Sequence, residues 1–201
     1  MERRDFLFAL SAASAVFTFP SVDASPQDWE YLRALERTQR DRPRVLTSRA
    51  RIAPPNEPGN ALIIHGRVFR HDGTTPAPDV VVFAYHTDGS GHYDVASAGP
   101  HSWRLRGWAK TASDGRFEFA TIRPAPYPNR RTAAHVHLSL YGSGLPQQQS
   151  AGLLFEGDPL LTPDELRDSA NAGEFGGVRP VEIRDGVQHV TINIRLERQL
   201  P

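Results

Sequence analysis

Tyr93, Tyr127, His135 and His137 are the residues of this sequence whose types and spacing could hold a metal ion together. The histidines stand in His135-Val136-His137. Residues two apart in a strand face the same side, so both imidazoles can reach one point. Imidazole is a common ligand for iron, copper and zinc. Alone, the pair would equally suit two half-exposed strand histidines. Tyr93 follows a glycine turn in Gly91-His92-Tyr93, and Tyr127 follows a proline turn in Arg123-Pro124-Ala125-Pro126-Tyr127-Pro128. Loops just past strands present side chains to clefts. Either tyrosine alone could also be a packing aromatic with its hydroxyl at the surface. A phenol normally loses its proton at about pH 10. A bound Fe(III) would stabilise the phenolate and lower that value strongly, as metals do for other coordinated acids. Two phenolates and two neutral imidazoles would leave a ferric ion with a single net positive charge, able to attract an anionic ligand.

Composition narrows the remaining chemistry. The chain has 201 residues, no cysteine and a formal net charge of zero. Disulfides, zinc–thiolate sites and cysteine nucleophiles are excluded together. Any metal must be held by His, Asp, Glu or Tyr. Neutral charge gives no reason to expect nucleic acid or an anionic membrane surface as partner. The length suits one domain with a sizeable core.

These side chains need a frame, and the pattern predicts one made of strands. Frequent proline and glycine, 17 and 16 residues, suit short strands joined by turns. Strands are expected at Leu62–Phe69 with a bulge at Gly66, Val80–Tyr85, Arg116–Ile122, His135–Leu140, Gly152–Phe155, and along the alternation Val190, Ile192, Ile194, Leu196. Thr162-Pro163-Asp164-Glu165 reads as a helix start with a capping box. Ser25-Pro26 with Asp28 starts a second, amphipathic helix through Trp29, Leu32 and Leu35 to about Arg40. Residues 42–59 read as an extended arm packed on a neighbour, which implies a homo-oligomer. Asp88, Asp94 and Asp114 read as turn residues. His86, His92 and His101 flank the Tyr93 loop, with surface roles expected and substrate contact as the alternative. The fold class expected is all-β: an antiparallel β-sandwich over residues 60–201, preceded by a short helix and arm over 25–59.

Residues 1–24 read as an export signal. Arg3-Arg4 leads an apolar stretch from Ala9 to Phe19, and Val22-Asp23-Ala24 has the small-x-small form of a cleavage site. The pair Arg3-Arg4 followed by Phe6-Leu7 is similar to a twin-arginine signal, which exports proteins already folded. A periplasmic or secreted protein without a membrane span is expected.

Between Ile64 and Asp158 the sequence resembles the intradiol ring-cleavage dioxygenases. The resemblance is carried by Gly66-Arg67-Val68, Val80-Val81-Val82-Phe83-Ala84-Tyr85, Gly91-His92-Tyr93, Arg106-Gly107-Trp108 and Asp114-Gly115-Arg116-Phe117. Thr121-Ile122-Arg123-Pro124 with Tyr127, His135-Val136-His137 and Phe155-Glu156-Gly157-Asp158 continue it. The resemblance implies a β-sandwich enzyme of aromatic compound catabolism with one non-haem Fe(III), acting on an aromatic diol and O2. It implies Tyr93 and Tyr127 as equatorial and axial tyrosinates, and His135 and His137 as equatorial and axial histidines. It further implies that catechol displaces the Tyr127 phenolate, which then takes a substrate proton, before the ring opens to a muconate-type diacid. A substrate-binding arginine is implied just before the first histidine. Thr132 stands at the matching position, so Arg131, with a one-residue loop shift, is the expected residue and Arg130 the next. Tyr85 stands where many members carry tryptophan and is expected to stack with a ring, as a substrate contact, or to pack the core. Gly152 stands where members often carry a polar side chain near the iron. The helical dimerisation region of the catechol 1,2-dioxygenases has no counterpart here.

Two other readings fit parts of the pattern. Gly66 to Pro126 also resembles transthyretin-like sandwiches of carboxypeptidase regulatory domains, a non-catalytic binding module that needs neither His-x-His nor Gly-x-Tyr. A zinc or copper hydrolase would need a third histidine and a motif such as His-Glu-x-x-His, which the sequence lacks.

Overall fold

The computed structural model describes residues 33, 37–93, 103–142, 145–150 and 152–197. The strands are β1 (Arg49–Arg51), β2 (Ala61–Phe69), β3 (Val81–His86), β4 (Arg106–Lys110), β5 (Arg116–Ile122) and β6 (His135–Gly142). They continue with β7 (Leu145–Gln149), β8 (Leu153–Phe155), β9 (Val178–Arg179), β10 (Val181–Arg184) and β11 (Val187–Arg195). One sheet has the order β1-β5-β2-β11-β10 and the other β4-β3-β6-β8-β9, with β7 also on β6. The sandwich is the expected all-β architecture, but its sheets are mixed. β1 with β5, β11 with β2, and β8 with β9 run parallel. Parallel neighbours need a long crossover. Between β2 and β11 the chain builds the whole second sheet, which supplies it.

Alternation along the strands fills the core. Leu62, Ile64 and Val68 of β2, Phe117 and Phe119 of β5, and Val190, Ile192 and Ile194 of β11 face Val136, Leu138 and Leu140 of β6 in one cluster. β3 is buried throughout, because a second layer covers its outer side. Phe83, Tyr85, Trp103 and Trp108 form that layer, with Leu46 against it. This explains why β3 reads as an unbroken apolar run rather than as an alternation.

Gly66 and the arm differ from the sequence expectation. Gly66 makes no bulge; it pairs in register with Phe117. A Cβ there would lie 2.0 Å from Phe117 Cζ, so the glycine makes room for that ring. The arm at 42–59 is not left for a neighbour. β1 lies along β5, and Ile52 and Ala53 enter the core. Three residues are too few to show a period, so the sequence could not reveal this strand. The helix expected at Thr162 forms over Pro163–Ala172, with Thr162 and Glu165 capping reciprocally. Of the helix expected from Ser25 to Arg40, residues 33 and 37–40 are helical and the rest lies outside the described residues. The segment read as an export signal also lies outside them.

His86 ties the two sheets together. It is fully buried on the core side of β3, not at the surface. Its Nδ1 donates to Thr87 O at 2.6 Å, and its Nε2 accepts from Thr121 Oγ1 on β5 at 2.6 Å. The neutral ring is thus fully satisfied, and burial pushes its pKa down to about 4. The folded state therefore binds the proton more weakly than the unfolded chain. The stabilisation is present above the ordinary value of 6.5 and is lost as pH falls towards 4. A loss of roughly 3 kcal/mol across that window is expected. Urea denaturation of wild type and His86→Gln at pH 7 and pH 4.5 tests this. Equal pH dependence in both would rule His86 out as the source.

Candidate metal centre

The alternation that sends Val136, Leu138 and Leu140 into the core turns His135 and His137 to the opposite face of β6. Their Nε2 atoms are 2.9 Å apart. Tyr93 Oη lies 2.8 Å from His137 Nε2 and 2.6 Å from Tyr127 Oη. Tyr127 Oη lies 3.1 Å from His135 Nε2 and closes the ring. All of these side chains are half-buried. His135 Nδ1 lies 2.7 Å from Ala133 O. A carbonyl only accepts, so this nitrogen carries the proton and the Nε2 lone pair faces the ring centre. His137 is held neutral: burial first, then the nearby His135 and His86, push its pKa down to about 3.

This donor set fits a first-row metal ion. Imidazole nitrogens and phenol oxygens around one point suit ferric iron. Neighbouring ligand atoms around one such ion sit ~3 Å apart, given bonds of about 2 Å. Among the described residues, no group of three or more His, Cys, Asp or Glu could hold a metal. A metal at this point would therefore need the phenols, and the third histidine of a zinc or copper hydrolase is not found among those residues.

The loop carrying Tyr93 is fixed by contacts that the sequence did not announce. Asp88 Oδ1 accepts from the backbone N–H of Ser90 and of His92, as expected for a turn residue. Gly91 has φ +89°, and a Cβ there would lie 2.2 Å from Pro126 O. Only glycine lets the Tyr93 loop touch the Tyr127 loop so closely. Arg104 N donates to Tyr93 O at 3.0 Å. The Arg104 guanidinium donates to both Glu57 carboxylate oxygens, at 2.6 and 2.7 Å, and lies 3.6 Å from Asp88 Oδ2. Hydrogen bonding from Arg104 holds the Glu57 pKa below the ordinary carboxylate value despite burial. Glu57 belongs to the supposed arm and Arg104 to an unremarked stretch, so no local signal could have paired them.

The other residues singled out from the sequence fall in different places. Tyr85 is 2% exposed and stacks between His137 and Trp103, each at 4.4 Å. It packs into the layer over β3 and backs the His137 ring, the core-packing alternative of the sequence reading. Gly152 opens on a cavity of about 360 Å3 whose lining includes Leu140, Gln148 and Ile192 and none of the four donor residues. A Cβ on it would nevertheless lie 3.5 Å from Val136 O, the carbonyl between His135 and His137. Arg130 and Arg131 are exposed on the turn between Tyr127 and His135, with Arg130 at φ +50°. His92 is exposed. Asp114 Oδ1 accepts from Arg116 N and is a turn residue as expected. Asp94 and His101 lie outside the described residues.

Comparison with known proteins identifies the family and the fold. A family model described as Dioxygenase matches residues 38–197. Catechol 1,2-dioxygenase 2 of Acinetobacter lwoffii is 26% identical over 156 residues, covering 70% of this chain and 56% of that protein. Chlorocatechol 1,2-dioxygenase of Rhodococcus opacus is 31% identical over 141 residues, covering 61% of this chain and 52% of that protein. The chain spans about half the length of these curated relatives. Among solved structures, the dioxygenase domain of a dioxygenase carbohydrate-binding protein fusion from Streptomyces sp. SirexAA-E superposes with a TM-score of 0.58 at 24% identity. That match covers 77% of this chain and 91% of the domain.

Proposed function

This chain belongs to the intradiol ring-cleavage dioxygenase family, and on that premise we propose that it opens the ring of a catechol-type diol with O2 to give a muconate-type diacid. The closed ring of Tyr93, Tyr127, His135 and His137 donor atoms carries this reading. These side chains would hold a mononuclear non-haem Fe(III). When bound, the ion supplies Lewis acidity toward the diol and the electron chemistry with O2.

The protein's own part is orientation and proton handling. Tyr127 is the proton acceptor in this reading: its Oη takes the proton of a substrate hydroxyl. It sits on a loop, whereas His135 and His137 are fixed in β6, so its side chain can move more readily than either imidazole. Tyr85 stacks on one face of His137, with Trp103 stacked on Tyr85 in turn, and keeps that imidazole in place. Arg131, with Arg130 beside it, supplies an exposed positive charge on the same loop for an anionic substrate. On the sequence pattern of residues 1–24, we place the protein outside the cytoplasm. Fractionation of cells producing Arg3→Lys/Arg4→Lys protein tests that: undiminished export would remove the twin-arginine assignment.

A visible spectrum of the purified protein, before and after anaerobic catechol, tests the function. A broad band that moves on addition is expected, as for tyrosinate-bound ferric iron with an open substrate position. A protein that stays colourless after ferric iron is supplied would sink the reading and leave the sandwich as a binding module.

A further inference from the structure

Phe155-Glu156-Gly157-Asp158 has no part in the chemistry described so far, yet its turn reaches the metal centre through one peptide. Asp158 N donates to Phe155 O at 3.2 Å across Gly157, whose φ is +82°. The turn fixes the Asp158 carboxylate, whose Oδ1 accepts from Leu160 N at 2.9 Å. Its Oδ2 accepts from Ala134 N at 3.0 Å. That N–H belongs to the same peptide group as Ala133 O, which accepts from His135 Nδ1 at 2.7 Å. A carboxylate, a peptide and an imidazole thus stand in line, with the His135 Nε2 lone pair at the far end. The Arg123 guanidinium lies 3.6 Å over the Phe155 ring, and Asp158 attracts its charge.

We infer that Asp158 is a positioning residue for His135: through the 133–134 peptide it fixes the Nδ1–H tautomer and strengthens Nε2 as a donor. A carboxylate hydrogen-bonded directly to a ligating histidine is the usual way to set tautomer and basicity. Here the peptide is interposed. Hydrogen bonds in series polarise one another, so a negative charge at the N–H makes the carbonyl a better acceptor. Ala133 and Ala134 are both buried, which keeps water from competing for either bond.

The inference rests on His135 being a ligand, but its test begins in metal-free protein and so fails separately from the proposed function. Two-bond 1H–15N spectra of histidine-labelled, metal-free protein should show His135 protonated at Nδ1 alone. Asp158→Ala should give a mixture of tautomers. Asp158→Asn keeps an acceptor oxygen, so it should keep the tautomer while losing the charge. In chelator competition, iron affinity should then fall about tenfold for Asp158→Ala, and severalfold for Asp158→Asn. A wild-type His135 protonated at Nε2 would overturn the inference. So would a folded Asp158→Ala protein with the Nδ1–H tautomer unchanged. Should Asp158→Ala not fold, Asp158→Asn decides: wild-type iron affinity in that variant overturns the inference, and a weakened affinity with the tautomer kept supports it. Tautomers that shift as expected in a protein that binds no iron would leave the positioning role standing and remove only the enzymatic reading.

Discussion

A His135→Ala protein is expected to purify without iron, without visible colour, and with turnover below about a thousandth of wild type. Two arguments set that size. His135 Nε2 is the one ring atom whose lone pair the structure aims inward through a defined tautomer. On the proposed function, a bound ion would supply several kcal/mol of charge stabilisation, which is about a thousandfold or more in rate. Stability should change little, because His135 is half-buried on the outer face of β6 and fills no part of the core. Thermal melting within a few degrees of wild type therefore belongs to the expected result. Iron content by elemental analysis is the deciding measurement. Wild-type iron and turnover in this variant would remove His135 from the site. Tyr93→Phe should behave similarly with a smaller loss of iron, because the ring keeps its place while only the oxygen is removed.

Gly91→Ala should be nearly as damaging without touching any donor atom. The residue has φ +89°, a conformation that strains any L side chain, and its Cβ would meet Pro126 O at 2.2 Å. A backbone oxygen cannot rotate aside as a side chain does. Relief requires the Tyr93 loop and the Tyr127 loop to separate, and that moves apart two oxygens now 2.6 Å from each other. Misplacement of about 1 Å in such a site can cost a hundredfold in rate. We expect turnover to fall at least that far, with stability lowered by about 1–3 kcal/mol. Steady-state kinetics on iron-loaded protein checks this, and kcat within twofold of wild type would mean that the loops are not coupled.

What the sequence made legible was local. His-x-His on a strand, tyrosines after turns, the Thr162 cap and the alternation of β11 each state their meaning within a few residues. Contacts made across the fold were not legible. Nothing near Glu57 says that Arg104 will pair with it, and nothing in Arg49–Arg51 says that β5 will accept a partner there. Gly66 shows a further limit. A glycine inside a strand is compatible with a bulge or with close packing, and only the Phe117 ring beneath it distinguishes them. Tyr85 is legible as an aromatic of the site region, but its stacking on His137 depends on Trp103 and on the covered face of β3. His86 differs from its expected surface place for a similar reason. Its parity along β3 turns it to the core, where Thr121 from the other sheet receives it.

The strand order has a consequence for how this molecule comes into being. β2 is flanked by β5 and β11, so one of its long edges is closed by the strand that comes last among those described. Leu62 waits for Gln188, and Phe69 for Arg195. During synthesis, β2, β5 and β1 can assemble while β11 is still unmade, and the free edge of β2 then presents an unpaired row of N–H and C=O groups. Pairings this distant in sequence form slowly. The domain should thus reach its native state only after β11 has been released from the ribosome, and the nascent chain is most prone to sticking to its neighbours in the interval before that.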